Sequence, residues 1–347
     1  MRRVTKLSSV VGVTAALALT ATACGGTTAD KGPSKKKGAA IAYDIGGRGD
    51  QSFNDAAYAG LAKAEKKYGF KGQDVEPSEG EADADKLNRL NELARQGYSP
   101  VIGVGFAYAA AVKKAAKENP KTTFGLIDDD TVKAKNVANL VFHEEQGSYL
   151  AGVAAAKTTK SKTIGFVGGV QVPLIQKFEA GFLQGVRDTD KSVKVKKQYL
   201  TQPPNTDGFS KPDLGKEAAK GQLDAGADVI YHAAGLSGQG VIEAAAGRKK
   251  WVIGVDSDQY KQKTLAKYKK YILTSMTKDV SDSVFKLIQS VQDGKPQSGV
   301  QRYSLAENGV GLATSNPEFM KMKSVQDAVA KAKKDIVDGK IKVATKP

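Results

Sequence analysis

Cysteine, histidine and tryptophan are scarce in this chain, and their scarcity excludes several kinds of site. Of 347 residues, one is cysteine, two are histidine and one is tryptophan. A single cysteine cannot form an internal disulfide. The two histidines, His143 and His232, are too few for a histidine-rich zinc site and offer little material for a histidine-based catalytic triad. We therefore expect no metal site and no histidine-based catalysis.

Long apolar runs are also missing, because no segment after the first two dozen residues has the roughly 18 consecutive apolar residues of a membrane helix. The first residues differ: a basic front is followed by the apolar stretch Val10 to Ala21. This pattern predicts an export signal over residues 1–23. The sole cysteine, Cys24, follows Ala21-Thr22-Ala23, which resembles the bacterial lipobox, although that box more often has Leu where Ala21 stands. The alternative is a free cysteine in an ordinary signal.

Residues 24–38 are rich in Gly, Thr, Ser, Lys and Pro and show no apolar period. Such a segment cannot bury enough surface to order itself, so it predicts a lipidated flexible tether. A lipid on Cys24 would hold the protein at the extracellular face of the cell membrane. About 300 residues remain after the tether, which is enough for two lobes of ordinary domain size.

The chain carries 53 basic and 37 acidic residues, a formal net charge of +16. An excess of this size could indicate a nucleic-acid partner. The lysines are instead spread over helical stretches, as in Lys63, Lys66 and Lys67, at spacings that place them on outward faces. We therefore interpret the charge as a solvated surface near an anionic envelope and expect no nucleic-acid partner.

From Ala39 onward, short apolar runs alternate with longer amphipathic segments, which is typical of βαβ units and a parallel sheet. Strands that are apolar throughout indicate sheets covered on both faces. The predicted strands are Ala39 to Ile45, Pro100 to Val104, Thr122 to Ile127, Thr163 to Val167, Asp228 to Tyr231, Trp251 to Val255 and Ile272 to Ser275. The predicted helices are Asn54 to Tyr68, Asp83 to Gln96, Tyr108 to Glu118, Ser148 to Ala156, Ile175 to Asp188, Lys216 to Ala225 and Ser281 to Gln292.

Two similar series of elements occur, with the helical stretch Glu144 to Lys157 between them. The pattern predicts an α/β fold of two doubly wound lobes joined by a hinge. The first lobe covers residues 39–147 with part of about 274–300. The second covers residues 158–272 with part of the C-terminal tail to 347.

Three of the apolar runs end in aspartate, namely at Asp44, Asp128 and Asp256. In open parallel sheets the ligand crevice lies beyond the carboxyl ends of the strands, so these side chains are candidates for a polar cleft between the lobes. An aspartate at a strand end is also a common helix cap or turn starter. Three on one rim, drawn from both series, favour the cleft.

Aromatic residues open a helical stretch in each series. Ser52 has the pattern of an N-cap with Asp55 three residues on, which places Phe53 and Asn54 in the first helical turn. Phe209 lies in a turn-rich stretch of the later series. Two such rings could enclose a planar ring of a ligand, although sugars also stack on aromatic rings, so a base and a sugar both stay open. Phe53 could instead pack on its own helix.

Several motifs fail on inspection. Gly103-Val104-Gly105 lacks the third glycine of the dinucleotide fingerprint, so we expect no such cofactor. His143-Glu144-Glu145-Gln146-Gly147 has glycine where a zincin helix has its second histidine. Arg48-Gly49-Asp50 has the sequence of an adhesion tripeptide, but it lies in a Gly-rich βα loop that is better explained as backbone facing a ligand. We therefore expect a binding protein and not an enzyme.

Several segments together resemble the basic membrane protein family, bacterial lipoproteins that include the purine nucleoside receptors of ABC importers. In order and spacing they cover nearly all of the chain from Ala39 to about Asp293. They are Asp44-Ile45-Gly46-Gly47, Asp50-Gln51-Ser52-Phe53-Asn54, Gly105-Phe106-Ala107, Ile127-Asp128, Glu144-Glu145-Gln146-Gly147, Leu150-Ala151-Gly152, Gly165-Phe166-Val167-Gly168-Gly169, Tyr231-His232-Ala233-Ala234-Gly235 and Trp251-Val252-Ile253-Gly254-Val255-Asp256-Ser257-Asp258-Gln259.

The resemblance implies the type I periplasmic-binding fold, with a nucleoside between two lobes joined by three crossover segments. By motif it implies that Phe53 and Phe209 stack the base and that Asp128 binds its edge. It implies that the ribose is held by Asn54, Gly235, Asp256 and Lys278, with Asp44 at the same wall. The surroundings of Phe209 only approximate the family's aromatic turn. Lys278, taken alone, would be interpreted as a surface or helix-dipole lysine.

The function implied is an extracellular solute-binding protein that works as a monomer and delivers a nucleoside, expected to be a purine, to ABC permease subunits. Within the family a flavin or sugar receptor and a signalling lipoprotein remain alternatives. The same fold serves as the effector domain of transcriptional regulators, but the signal and Cys24 argue against that function. A nucleoside hydrolase would need a clustered carboxylate and metal site, and the three aspartates come from separate strands.

Overall fold

The computed structural model describes residues 37–78 and 80–347. The predicted export signal, Cys24 and nearly all of the predicted tether lie outside these residues. No helix within the described ranges is long and apolar enough to cross a membrane.

In the described residues, strands and helices alternate as the sequence pattern predicts. The strands are β1 (Ala40–Ala42), β2 (Gln73–Val75), β3 (Val101–Gly103), β4 (Phe124–Ile127), β5 (Val137–Phe142), β6 (Thr163–Val170), β7 (Lys194–Thr201), β8 (Val229–Ala233), β9 (Trp251–Asp256), β10 (Ile272–Lys278), β11 (Gly299–Tyr303) and β12 (Val310–Leu312). The α-helices are α1 (Phe53–Tyr68), α2 (Asp83–Arg95), α3 (Ala109–Glu118), α4 (Glu144–Thr158), α5 (Pro173–Thr189), α6 (Pro212–Asp224), α7 (Gly238–Gly247), α8 (Val280–Gln292), α9 (Pro317–Lys321) and α10 (Lys323–Val337).

The strands form two six-stranded sheets. Their orders are β11-β5-β4-β3-β1-β2 and β12-β10-β9-β8-β6-β7. The paired strands are parallel, apart from β12, which runs antiparallel to β10. Helices cover both faces of each sheet, and apolar side chains from strands and helices form a core on each face. The predicted fold class, two doubly wound α/β lobes, is confirmed.

The chain passes between the two sheets three times within the described residues. It leaves the first sheet after β5, returns after β10 through α8, and leaves again after β11 for β12. The side chains of α8 belong to the same apolar core as β1 and α1. The crossings lie side by side, since His143 N donates to Tyr303 O at 2.9 Å and Asp279 N donates to Gly309 O at 2.9 Å. The lobe boundaries given from the sequence stay a prediction.

Helix α4 follows the first crossing and packs closely on α5 of the second lobe. A Cβ at Gly181 would lie 2.0 Å from the Glu145 carbonyl oxygen, and one at Gly152 would lie 2.3 Å from that of Phe182. Glycine at both positions lets the two backbones touch. This contact fixes α5, which lines the cavity described below, relative to the hinge.

Two long strands escaped the sequence prediction for different reasons. The first, β5, is a fully buried apolar run that the same signal could have found. The second, β7, has an exposed and lysine-rich face because it is an edge strand of the second sheet. Charged residues are common on edge strands, where they discourage pairing with other chains, and they hide the strand from an apolar-run search.

Candidate functional site

The carboxyl ends of the two sheets face one cavity with an empty volume of about 580 Å³. All eight residues predicted as ligand-binding line this cavity: Asp44, Phe53, Asn54, Asp128, Phe209, Gly235, Asp256 and Lys278. Further lining residues are Ile45, Asp50, Gly105, Phe106, Leu174, Ile175, Phe178, Ala233 and Val255. The structure therefore brings the predicted residues together from distant segments. That they bind a ligand stays a prediction.

The loop before α1 forms part of the cavity wall and is held by Asp50. The Asp50 carboxylate accepts hydrogen bonds from the backbone N–H groups of Ser52, Asn54 and Asp55 at 2.8 to 3.1 Å. Burial raises the pKa of Asp50 to about 7, although these three hydrogen bonds oppose the shift. The Asp50 side chain thus caps the N-terminus of α1 and fixes Phe53 and Asn54 in the first turn.

Ser52 is the N-cap residue of α1, as predicted, but the capping hydrogen bond expected of its side chain is not formed in the described structure. Its hydroxyl instead donates to Asp256 Oδ2 at 2.6 Å, across the cleft. Asp50 already accepts from the N–H groups at the start of α1, so the Ser52 hydroxyl is left to donate to the buried carboxylate of Asp256.

Further hydrogen bonds join this loop to the second lobe. Gln239 Nε2 donates to the Gly49 carbonyl at 2.9 Å, and Gln259 Nε2 donates to that of Gln51 at 3.2 Å. Ser257 Oγ donates to the Ser52 carbonyl at 2.8 Å. These hydrogen bonds therefore hold the loop against the second lobe beside the cavity.

The ammonium of Lys278 lies buried where the two lobes meet. Its Nζ donates to Asp128 Oδ2 at 2.6 Å and lies 3.8 Å from Asp256 Oδ1. Burial disfavours the charged ammonium, but attraction from Asp128, Asp256 and Glu144 outweighs that cost and raises the pKa of Lys278. Lys278 is therefore charged at neutral pH, and the ion pair joins β10 of the second sheet to the loop after β4 of the first.

Four phenylalanine rings give the cavity apolar walls. The Lys278 Nζ lies 4.7 Å from the ring centroid of Phe53 and 5.6 Å from that of Phe178. Phe106 meets Phe209 edge to face, with the ring centroids 6.4 Å apart. Rings from both lobes thus surround the charged centre, which suits a ligand with a flat ring and polar edges.

The sequence prediction missed two of these rings. Phe106 comes soon after β3, so the rule that residues beyond strand ends line the crevice could have found it. Phe178 lies inside α5, one turn after Ile175, and such helical spacing is typical of an ordinary core stripe. No local signal distinguishes it.

Glu144 was also missed by the sequence prediction, for a different reason: it does not line the cavity but lies behind it. This first residue of α4 is 1% exposed, and its Oε2 lies 3.6 Å from Lys177 Nζ. Burial raises the pKa of Glu144 to about 7, against the attraction of Lys278. The charges around Lys278 therefore include a carboxylate from the hinge.

Three buried oxygens of the cavity have no hydrogen-bond partner within the described part of the chain: Asp44 Oδ1, Asn54 Oδ1 and Asp128 Oδ1. Burial raises the pKa of Asp44 to about 6. Gly105, with φ +105°, brings its backbone so close that a Cβ would lie 2.2 Å from Asp44 Oδ2. The cavity thus presents acceptors at separate points around its wall.

Metal binding is a poor match for this arrangement. No group of three or more His, Cys, Asp or Glu side chains within residues 37–78 and 80–347 is placed to hold a metal ion. Lys278 lies between Asp128 and Asp256, at the position a cation would take. The geometry suits an organic ligand with hydrogen-bond donors.

Comparisons with known proteins identify the family of this chain. The model of the Bmp family, described as ABC transporter substrate-binding protein PnrA-like, matches residues 37–345. A Lactococcus lactis protein named ABC transporter nucleoside-binding protein BmpA is 37% identical over 89% of each chain. An uncharacterised lipoprotein of Pyrococcus abyssi is 33% identical over 90% of this chain and 77% of its own. A solved solute-binding protein of an ABC transporter system from Aeropyrum pernix has a TM-score of 0.77 and 27% identity, covering 89% of this chain and 93% of that one.

Proposed function

The chain belongs to the PnrA-like family of ABC transporter substrate-binding proteins, and we propose that its cleft captures a purine nucleoside for an ABC importer. The family is one of solute-binding proteins and not of enzymes. The name of the Lactococcus lactis relative as a nucleoside-binding protein supports the ligand class. We further propose that the protein works as a monomer and delivers its ligand to permease subunits.

One observation carries this proposal, namely that aromatic walls and partnerless acceptor oxygens share a single cavity. Asp44, Asn54 and Asp128 each present a buried oxygen without a hydrogen-bond partner in the described structure. Leaving such atoms unpaired is costly, so a fitting ligand supplies several N–H or O–H donors. A purine nucleoside combines a flat ring with ribose hydroxyls and base N–H groups.

In the proposed complex the base lies between Phe53 and Phe209, and Asp128 Oδ1 accepts from the base edge. The ribose hydroxyls reach a wall made by Asn54, Gly235, Asp256 and Lys278, with Asp44 beside them. Lys278 already engages Asp128 Oδ2, which orients that carboxylate with its other oxygen free. A lysine of the second lobe thus orients the carboxylate of the first lobe that is proposed to contact the base.

The charges of the cavity also favour a ligand without phosphate. The lining residues include four aspartates and one lysine, and that lysine is engaged by Asp128 and Asp256. An added phosphate would therefore meet more negative than positive charge. Riboflavin and free sugars carry no phosphate, so they remain the rival ligands that binding experiments must separate from nucleosides.

Replacing Asp128 with asparagine tests the proposed contact with the base edge. Asp128 Oδ1 can accept from the adjacent N1–H and exocyclic amine of guanosine, whereas adenosine offers an amine beside an acceptor nitrogen. We expect Asp128→Asn to weaken guanosine binding by roughly 1 to 3 kcal/mol, inosine by less, and adenosine least. Isothermal titration calorimetry with all three purines measures this difference.

Asp130→Asn is the matched control, because Asp130 lies two residues away, is half-buried and pairs with Arg302 at the surface. It should leave all three affinities unchanged. Equal losses for guanosine and adenosine in Asp128→Asn would mean that Asp128 supports its loop without contacting the base. A wild-type protein that binds riboflavin or a sugar and no nucleoside would overturn the proposed ligand.

We also propose that a lipid on Cys24 holds the protein at the extracellular face of the cell membrane. Cys24→Ala should move the protein from the membrane fraction to the medium, because the acylated residue would be lost. Fractionation followed by immunoblotting measures the shift, and nucleoside affinity should not change because Cys24 lies at least 20 residues before the cavity residues. Retention of Cys24→Ala on washed membranes would contradict the anchor.

A further inference from the structure

The amino ends of the second sheet form a surface opposite the cleft, and basic side chains dominate it. Residues just before or at the start of four strands supply the cations. We call this surface the basic pole and define it by Lys160, Lys162, Lys191, Lys194, Arg248, Lys249, Lys250, Lys267, Lys269 and Lys270. All ten residues are exposed.

Strand order places these residues along one edge of the second sheet. Lys250 directly precedes Trp251, the first residue of β9, and Lys270 lies two residues before Ile272, the first residue of β10, which pairs with Val252 of β9. On the other side of the sheet, Lys194 N donates to the Lys162 carbonyl at 2.8 Å, which joins the starts of β7 and β6. From β10 to β7 the pole spans five strands, a length of about 19 Å at ordinary strand spacing.

Few acidic groups balance this charge. Lys162 pairs with Asp190 at 2.7 Å and Arg248 with Asp224 at 2.9 Å. The other eight lysines make no ion pair within the described residues. Asp228, at the start of the central strand β8, has both carboxylate oxygens engaged by Thr159 Oγ1 and the backbone N–H groups of Lys160 and Ser161. The pole therefore has a strong local excess of positive charge.

Tyrosine rings make cation–π contacts with three of the lysines. The Nζ atoms of Lys267, Lys269 and Lys270 lie 4.6 to 5.9 Å from tyrosine ring centroids. The rings belong to Tyr268, Tyr260 and Tyr271. These half-buried rings attract the ammonium groups electrostatically and cover part of the lysine side chains.

We propose that the basic pole binds a linear polymer of phosphate groups. Cations at the starts of four strands, spread over the width of five and mostly without ion pairs in the described structure, match a chain of repeated anions. Binding would release the counterions that such a polymer condenses. A flat anionic membrane is a poorer match, because the large apolar side chains that are exposed in the described structure, Leu214, Val300, Met320 and Val337, are not part of the pole. Without such side chains to insert, membrane attachment would depend on charge alone.

The pole and the ligand cavity lie at opposite ends of the same strands. Asp256 ends β9 and Lys278 ends β10, whereas Lys250 and Lys270 precede the starts of these strands. The six residues of β9 and the seven of β10 separate the two ends by about 20 Å. A bound polymer therefore leaves the cleft open, and this proposal does not depend on the identity of the small ligand.

A fluorescence titration with long-chain inorganic polyphosphate tests the proposal on the full chain carrying Cys24→Ala. Trp251 is the sole tryptophan and adjoins Lys250 at the start of β9, so its emission reports directly on the pole. The pole variant replaces four lysines with glutamine: Lys250, Lys267, Lys269 and Lys270. We expect it to bind polyphosphate at least about tenfold more weakly, with the slope of log affinity against log salt smaller by about 3.

The matched control removes the same number of charges from the first lobe by replacing Lys113, Lys114, Lys117 and Lys121, all exposed, with glutamine. It should lose less than about threefold, because these lysines do not belong to the pole. Thermal unfolding verifies that both variants fold. Equal losses in the two variants would overturn the proposal, since net charge alone would then explain binding. Tighter binding to anionic phospholipid vesicles or to single-stranded DNA than to polyphosphate would overturn it as well.

Discussion

Replacing Lys278 with methionine should lower the free energy of unfolding by about 3 to 5 kcal/mol at pH 7. The ammonium pairs with Asp128 and lies 3.8 Å from Asp256, and Glu144 adds a third buried carboxylate nearby. Methionine fills the same space without charge and leaves these carboxylates uncompensated. Nucleoside binding should be lost as well, because Asp128 would no longer be held in place.

The pH dependence of this loss has a defined sign. Burial already raises the pKa values of Glu144 and Asp256, and losing the Lys278 charge raises them further. A carboxyl group whose pKa is raised by folding stabilises the folded state at low pH, and that contribution is lost as pH rises towards the folded-state pKa, about 7 for Glu144. Lys278→Met should therefore be less destabilising at pH 5 than at pH 8.

Urea unfolding at both pH values measures the difference. Lys286→Met is the control, because Lys286 lies on the surface of α8 and pairs with Asp282 at 2.8 Å. It should change the free energy of unfolding by less than about 1 kcal/mol. If Lys278→Met costs the same at pH 5 and pH 8, the buried carboxylates do not depend on this ammonium.

Replacing Phe53 with alanine should weaken purine nucleoside binding by about 3 kcal/mol, roughly 100-fold. The ring stands at the start of α1, where Asp50 holds the backbone, so its removal opens the cavity wall. It also removes a ring centroid 4.7 Å from the Lys278 ammonium. Isothermal titration calorimetry of guanosine with the wild type and the variant measures the loss.

Phe53→Leu separates stacking from simple bulk, since leucine keeps apolar volume but has no ring. We expect an intermediate loss of about 1 kcal/mol for Phe53→Leu. Wild-type affinity in Phe53→Leu would show that the ring face is not used. Unchanged affinity in Phe53→Ala would remove Phe53 from the proposed site.

Part of the site was predictable because it follows from local pattern and one rule of sheet topology. Asp256 is the last residue of β9, and Asp128 and Asp44 follow β4 and β1 by one and two residues. Residues at these positions meet at the edge of a parallel sheet. Two of them, Asp128 and Asp256, have left-handed backbone with φ of 67° and 61°, which short polar side chains tolerate. Lys278, by contrast, was assigned from its resemblance to a family motif. Its own sequence surroundings do not distinguish it from a surface lysine.

The sequence by itself determined the alternation of strands and helices, the two-lobe fold and the strand ends that line the cleft, since these depend on periodicity and chain order. Tertiary structure decided which groups meet across the cleft. Ser52 fits a helix cap by sequence, yet its hydroxyl binds Asp256, 204 residues later. Glu144 and Phe178 likewise belong to the site only because the fold brings both of them close to Lys278. Local pattern cannot reveal such roles, because burial and the approach of distant charges arise only when the lobes pack together.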